Sequence, residues 1–220
     1  MRNLRRLLIT LVILFGLFVA ADRIAVRIAE NQAAGKIQSS RGMATKPDVT
    51  IEGFPFLTQL IGSKLDEVKL HANDVKVATS KVQLGSIDAD LVGVKVSSDY
   101  SSAVADSATG KVMIGYADLS AALPNHTTVS YGGSPGKVQV TTTIGGQQFS
   151  GTADIAVSGG NNVSLSNLDT GNPLVSLAGD LFAPEVPVAG LPNGLKLTSV
   201  DAEKNGVYVA ASGTDVHLNG

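Results

Sequence analysis

The sequence feature that most constrains the fold is the stretch of residues 49–77, in which two extended segments flank a sharp apolar break. Residues 49–52 alternate between apolar and polar, as in a strand that faces a core on one side. Gly53 interrupts this strand, and Pro55 fixes its own φ and disfavours helical backbone at the residue before it. Alternation then resumes and changes phase at Asp74, the pattern that a β-bulge leaves. The chain is therefore predicted to enter as a strand, turn at an apolar knuckle and leave as a longer strand.

The knuckle, which we define as residues 53–62, is rich in large apolar side chains. Two of the six phenylalanines of the chain flank its proline, and three aliphatic residues follow closely. Such a segment either plugs the core at one end of a sheet or forms the lip of an apolar cavity. The segment taken by itself favours the plug.

The composition of the remaining chain favours strands. The chain is 44% hydrophobic but only 5% aromatic, so that Val, Ala, Leu and Ile supply the apolar side chains, which suits extended segments. Short apolar segments follow one another regularly after Lys64, separated by Gly-rich or Asn-rich turns, and this spacing predicts a meander of antiparallel strands. No linker or run of charge divides the chain, so a single domain is expected over residues 22–220.

The predicted elements beyond the knuckle are short. Residues 82–84 and 87–96 are predicted to form one long strand or two strands joined by a bulge near Gly85. Further strands are predicted at residues 111–116, 126–131, 137–144, 148–157, 162–168, 195–202 and 206–212, and the last two form a hairpin that turns at residues 203–205. Helical turns are predicted at residues 117–123 and 173–182, and residues 184–187 are predicted to be irregular.

The N-terminal residues 1–21 have the pattern of a targeting segment. Three arginines precede an uncharged apolar run, residues 7–21, and small residues that suit a cleavage site end at Ala21. As a helix this run would measure about 22 Å, less than the roughly 30 Å of a bilayer core. The length favours a cleaved signal peptide over a signal anchor. Export is expected in either case, to the periplasm or to the outer face of the cytoplasmic membrane.

A helix is predicted to follow, from Asp22 to about Ser40. Asp22 is a suitable N-cap residue, and small or aliphatic side chains then recur at intervals of four. This spacing favours a helix packed on a sheet over a helix lying in a membrane interface, which would need larger apolar residues.

Several residue patterns resemble catalytic or metal-binding motifs, but the residues around them do not meet the requirements of those motifs. The three histidines are far apart in sequence, without ligand spacing, and the chain has no cysteine. Residues 132–136 match G-x-S-x-G, but Pro135 offers no N–H for an oxyanion and a strand follows Ser134 in place of a helix. Asp88 and Asp90 share one face of a strand, which is typical of a solvated face. We therefore predict no catalytic residues, no metal site and no cofactor.

Charge gives no reason to expect a nucleic-acid partner, because the formal net charge is only −2. The predicted strands are rich in aliphatic residues, and few polar residues are candidates for a functional site. If such strands form a curved sheet, its concave side has two alternatives. Side chains can fill it, or it can hold one apolar ligand.

Several segments resemble the actinobacterial LmeA-like family. The most specific is IEGFPFLTQL, and the others lie near it and towards the C-terminus; together they are residues 51–60, 68–75, 116–123, 190–197 and 206–214. The resemblance implies a cell-envelope protein that binds phospholipid and is linked to envelope glycolipid maturation, without known catalytic residues. It also implies an α+β fold, in which a strongly curved antiparallel sheet wraps along the N-terminal helix as in tubular lipid-binding domains.

The hypothesis from the sequence is thus a monomeric, non-enzymatic phospholipid carrier or sensor, with a membrane glycolipid-synthesis enzyme as a further partner. The residues expected to contact acyl chains are Phe54, Phe56, Leu57, Leu60, Ile61, Phe182 and Leu191. Phe56→Asp is expected to abolish lipid binding and leave the fold intact. The alternative is an envelope scaffold protein with a packed core and no lipid cavity.

Overall fold

The computed structural model describes residues 2–76, 83–97, 102–123, 127–144, 146–171, 185–188 and 191–219. Within these ranges the helices are α1 (Arg2–Arg41), α2 (Phe56–Ile61) and α3 (Tyr116–Ala122). The strands are β1 (Asp48–Glu52), β2 (Lys64–Lys76), β3 (Gln83–Val96), β4 (Ser102–Ile114), β5 (Thr128–Tyr131), β6 (Lys137–Ile144), β7 (Gln147–Ser158), β8 (Asn162–Asp169), β9 (Glu185–Pro187), β10 (Asn193–Glu203) and β11 (Gly206–Asn219).

The fold is α+β, as predicted, but the antiparallel strands form two sheets where the sequence suggested one meander. The first sheet has the order β1-β2-β3-β4-β11-β10 and the second the order β5-β6-β7-β8-β9. Helix α3 follows β4 directly and leads the chain out of the first sheet. The C-terminal hairpin then returns and pairs with β4 through β11. Its tight turn, predicted at residues 203–205, is confirmed.

Helix α1 is continuous, so the prediction that a helix begins at Asp22 was wrong. Its 40 residues measure about 60 Å at 1.5 Å per residue. No proline or glycine lies between Gly16 and Gly35, and the apolar run therefore merges with the helix that follows it. The predicted end is confirmed: Gly42 has a φ of 61°, and the N–H of Met43 donates to the carbonyl of Gln38 in a Schellman arrangement.

Two segments differ from their predictions. Only residues 111–116 were predicted as a strand, yet β4 begins at Ser102, because the small residues Ala105 and Ala108 are buried at the centre of the first sheet. Residues 185–187 were predicted to be irregular, but they pair with β8. The helix predicted at residues 173–182 lies outside the described residues.

A line of left-handed backbone crosses the first sheet and leaves the pairing with β4 in register, while the register between β10 and β11 shifts beside it, between Asn193 and Leu195. Gly93 in β3 has a φ of 65° and Asp215 in β11 a φ of 51°. The pairs on either side of Gly93 keep one register with β4. Asp74 in β2 behaves in the same way, with a φ of 52° and an unshifted register with β3. The predicted phase change at Asp74 is therefore present, but the predicted bulge, an extra unpaired residue, is not.

The first sheet packs differently at its two ends. At what we call the knuckle end, the part of α1 after residue 21 packs on β1, α2 and β2 around Val26, Ile51 and Phe56. At what we call the far end, β10 and β11 pack against the second sheet and α3. The knuckle thus lies between α1 and one edge of the first sheet.

Candidate functional site

The knuckle is anchored by a buried aspartate in the middle of α1. The side chain of Asp22 is 0% exposed, and its Oδ1 accepts a hydrogen bond of 2.8 Å from the N–H of Leu57. Pro55, at the N-cap of α2, supplies no capping side chain. Because the first N–H groups of a helix lack partners within it, Asp22 caps α2 from another helix.

Arg23 adds two contacts beside this cap. Its Nη2 donates to Asp22 Oδ2 at 2.6 Å, which pairs the buried carboxylate with a positive charge. The same atom reaches the carbonyl of Gly53 at 3.4 Å, and the guanidinium lies 5.3 Å from the centre of the Phe54 ring. We call Asp22 and Arg23 the clamp, since together they hold both the entry of the knuckle and the start of α2.

Gln59 fixes the knuckle from inside. It is 9% exposed; its Oε1 accepts from the N–H of Asp66 at 2.8 Å, and its Nε2 donates to the carbonyl of Glu52 at 3.4 Å. Gly53, with a φ of 101°, is the residue that allows this packing. A Cβ at Gly53 would collide with Gln59 Nε2 and would lie 2.6 Å from Asp66 Oδ2.

The exit of the knuckle is held by an ion cluster in the first sheet. Asp106 Oδ2 and Oδ1 accept from Lys64 Nζ at 2.8 Å and from Lys95 Nζ at 2.9 Å. The hydrogen bond from Lys64, followed by that from Lys95, lowers the pKa of Asp106 to about 2. The N–H of Val96 also donates to the carbonyl of Ser63 at 3.1 Å. The apolar segment is therefore presented on a fixed backbone, with contacts at its entry, its centre and its exit.

The side chains predicted to contact lipid divide into buried and exposed ones. Phe56 is 1% exposed and packs in the core with Val26 and Ile51. Leu57 is half-buried. Phe54 is 53% exposed, Leu60 41% and Ile61 86%. The sequence left open whether the knuckle plugs the core or forms an exposed apolar lip. In the structure Phe56 is buried as a plug, whereas Phe54, Leu60 and Ile61 are exposed.

The remaining predicted positions are elsewhere. Leu191 is half-buried and lies just before β10, the strand at the opposite edge of the first sheet from β1. Phe182 lies outside the described residues. Of the predicted positions that the structure describes, those of the knuckle come together and Leu191 does not join them.

Sequence reasoning missed two features of this region. One is the clamp, because Asp22 was interpreted as an N-cap of its own helix. The other is an apolar stripe on α1 beyond residue 21: Ile24 is 60% exposed and Ile28 52% exposed. Their four-residue spacing, on the side of the helix opposite the buried Val26, was the available signal.

The polar sets considered for catalysis occupy ordinary structural positions. Ser134 lies in the hairpin turn between β5 and β6, as predicted. Asp88 is exposed and its Oδ1 lies 2.6 Å from Nδ1 of His71 on the neighbouring strand, while Asp90 pairs in register with Lys69. Among the described residues, no group of three or more His, Cys, Asp or Glu side chains is arranged to hold a metal ion. His126 lies outside those residues.

The comparison with known families agrees with the resemblance seen in the sequence. A family profile described as LmeA-like phospholipid-binding matches residues 20–212. No curated protein and no solved structure matches the chain. The matched region begins just before the clamp, includes the knuckle and ends within β11. The chain belongs to the LmeA-like phospholipid-binding family.

Proposed function

We propose that this protein is an exported, non-enzymatic phospholipid-binding protein of the cell envelope, acting as a carrier or sensor in envelope glycolipid maturation. Its acyl-chain contact is the exposed apolar face of the knuckle, formed by Phe54, Leu60 and Ile61. The observation that carries the proposal is the exposure of these three large apolar side chains, in a phospholipid-binding family, on a segment that is otherwise firmly held.

The energetics of the knuckle support this role. Fully burying a Leu, Ile or Phe side chain contributes about 1.5–3 kcal/mol. Ile61 leaves most of that contribution unused within the protein, because it is 86% exposed. An acyl chain laid across the three side chains would recover it, and little ordering entropy would be lost because the backbone is already fixed.

Export is supported by the N-terminal part of α1, which is apolar and compatible with a signal sequence. The arginines before the apolar run favour a cytoplasmic N-terminus and a domain on the outer side. A monomeric state and an interaction with a membrane glycolipid-synthesis enzyme are further parts of the proposal, and the second follows from the link to glycolipid maturation that the resemblance implies.

Native mass spectrometry of the full chain, purified from bacterial membranes and followed by solvent extraction, tests the proposal. We expect a stoichiometric phospholipid adduct on the wild type and loss of that adduct in Leu60→Asn/Ile61→Asn. Val92→Asn is the matched control, because Val92 is also a large apolar residue, 46% exposed, but belongs to β3 and not to the knuckle. It should retain the adduct.

Two results would contradict the proposal in different ways. A wild-type chain that stays free of lipid after incubation with phospholipid vesicles would favour the scaffold alternative. An adduct that survives in the double variant would assign the lipid to another surface. Phe56→Asp cannot serve as the test, because it would bury an unpaired carboxylate in the core.

A further inference from the structure

We propose that α1 remains attached to the domain and crosses the bilayer, and that the clamp seats the knuckle in the outer lipid interface where α1 leaves the membrane. The partner of this surface is the phospholipid bilayer itself. The inference rests on the proposed function only for the class of its partner, phospholipid. It adds how the protein is oriented and which residues enter the lipid.

The first observation is the exposure of the N-terminal part of α1. Large apolar side chains point outward all around it, and almost none of its apolar stretch is buried within the protein. They are Leu4, Leu7, Leu8, Ile9, Leu11, Val12, Ile13, Leu14, Phe15, Leu17 and Phe18. A helix that is hydrophobic on every side needs an apolar environment on every side, and the bilayer supplies one.

The second observation concerns length. The uncharged run of residues 7–21 appeared too short to span a bilayer. In the structure the exposed apolar surface continues on one side, because Leu17, Ile24 and Ile28 lie at spacings of seven and four on a single stripe. From residue 7 to Ile28 the helix measures about 33 Å, close to the roughly 30 Å of a hydrocarbon core.

The third observation is the level at which the knuckle is attached. The hydrogen bond of 2.8 Å from the N–H of Leu57 to Asp22 Oδ1 places α2 beside the first residue after the uncharged run. The exposed side chains of Phe54, Leu60 and Ile61 belong to the segment that this bond attaches to α1, and we place them in the outer part of the lipid layer, between the end of the uncharged run and Ile28. An apolar surface at this level continues the lipid-facing surface of α1.

Charge at this level fits an interface. Asp22 is fully buried and paired with Arg23, so the carboxylate is not presented to lipid. The guanidinium of Arg23 is part-exposed over the Phe54 ring, and Arg27, one turn further along α1, is exposed. Both cations can meet phosphate groups while their stems lie along apolar surface.

The clamp also bears on cleavage after Ala21. That peptide bond lies within the continuous helix, and the side chain on its C-terminal side is buried against α2. A protease that needs an extended, accessible segment would find neither once the domain has folded. The structure thus favours the signal anchor over the cleaved signal peptide.

The test uses the full chain in vesicles of phosphatidylethanolamine and phosphatidylglycerol. Because the chain has no cysteine, the single substitutions Ile61→Cys and Ile28→Cys each give one site for an environment-sensitive fluorophore. Lys204→Cys, in the exposed β10–β11 turn, is the matched control. We expect blue-shifted emission and quenching by lipid-attached quenchers at positions 61 and 28, and water-like emission at position 204.

The possible results distinguish a failure of this inference from a failure of the proposed function. Water-like emission at position 61 overturns the inference whatever position 28 reports, provided that circular dichroism shows a folded chain. An intact mass that begins at Asp22, measured on protein exported in a bacterial host, also overturns it. Lipid insertion at position 61 with no co-purifying lipid adduct overturns the proposed function alone, and an adduct with a water-exposed position 61 overturns this inference alone.

Discussion

The two ends of the first sheet are built by different means. At the far end, small aliphatic side chains from two facing sheets close a core; the buried members are Val129, Val138, Ala153, Ile155, Val200, Ala202 and Val207. At the knuckle end, the core around Phe56 has three buried residues, and Asp22, Arg23 and Gln59 supply much of the attachment. The polar attachment leaves large apolar side chains outside. Apolar burial thus stabilises the far end, while polar anchoring at the knuckle end keeps an apolar surface available for a partner.

The largest expected effect on stability comes from removing the buried ring of Phe56 at the knuckle end. Phe56→Ala should lower the free energy of unfolding by about 3–5 kcal/mol, since it empties a site in which the ring is fully enclosed. Val138→Ala at the far end removes two methyl groups from an equally buried position, and should cost roughly 2 kcal/mol. Urea unfolding of the full chain in detergent compares the two. Equal losses would mean that the knuckle end can collapse around the missing ring.

The difference between the ends also sets how far the sequence could predict them. Strands β6, β7 and β8 were predicted nearly to their observed ends, because alternating Val, Thr and Ile segments are separated by glycine-rich turns. Strand β4 was predicted only in its last part. Its buried positions are alanines, whose identity carries little periodic signal, and its place between β3 and β11 decides its conformation.

The candidate site was predictable in its location but not in its construction. The apolar knuckle was recognisable from its residues. Phe54 and Phe56 flank one proline, however, and only the start of α2 at Phe56 turns one ring inward and the other outward. The clamp depends on a contact between Asp22 and Leu57, which are 35 residues apart. Local pattern contains no information on such a pair, so Asp22 was taken for a local cap.

The next largest effect on stability is expected at Gly93, where left-handed backbone lies between the two ends of the first sheet. Gly93→Ala should cost about 1–2 kcal/mol for left-handed backbone, and more because the new Cβ would collide with Asp106 Oδ2 and disturb its two lysine contacts. Gly110→Ala is the matched control in β4, because its Cβ would meet only the carbonyl of Asp88 at 3.7 Å. Its unfolding midpoint in urea should stay near that of the wild type. A Gly93→Ala variant as stable as the control would show that Asp106 does not need its present position.

A smaller effect is the pH dependence of the stability that Asp106 contributes. An unfolded aspartate has a pKa near 3.9, whereas in the folded chain the hydrogen bond from Lys64, followed by that from Lys95, lowers the pKa of Asp106 to about 2. A lowered folded pKa stabilises the protein above the unfolded pKa, and this contribution is lost as pH falls towards 2. Asp106→Asn should therefore have a lower urea midpoint at pH 6, and the difference from wild type should shrink between pH 4 and pH 2.

Asp154 provides the far-end counterpart of this acid test. Hydrogen bonds from Lys137 and then from Asn167 lower the pKa of Asp154 as well. Asp154→Asn should show a difference of the same sign that also fades on acidification. Because solvent reaches both groups, added salt should reduce both differences. A difference at Asp106 that persists at pH 2 would show that its lysine contacts do not depend on ionisation.

The smallest expected effect is that of substitutions at Phe54, which distinguish a role of this residue in stability from a role in lipid binding. Phe54→Leu keeps an apolar side chain at the exposed position but removes the ring that lies 5.3 Å from the Arg23 guanidinium. Exposed cation–π contacts contribute about 0.5–1 kcal/mol, so the urea midpoint should fall slightly while the lipid adduct remains. Phe54→Asn removes both the ring and the apolar surface, and should lose the same stability together with part of the adduct. If Phe54→Leu already loses the adduct, the ring acts by orienting the clamp, and the apolar surface of the knuckle alone is not sufficient for binding.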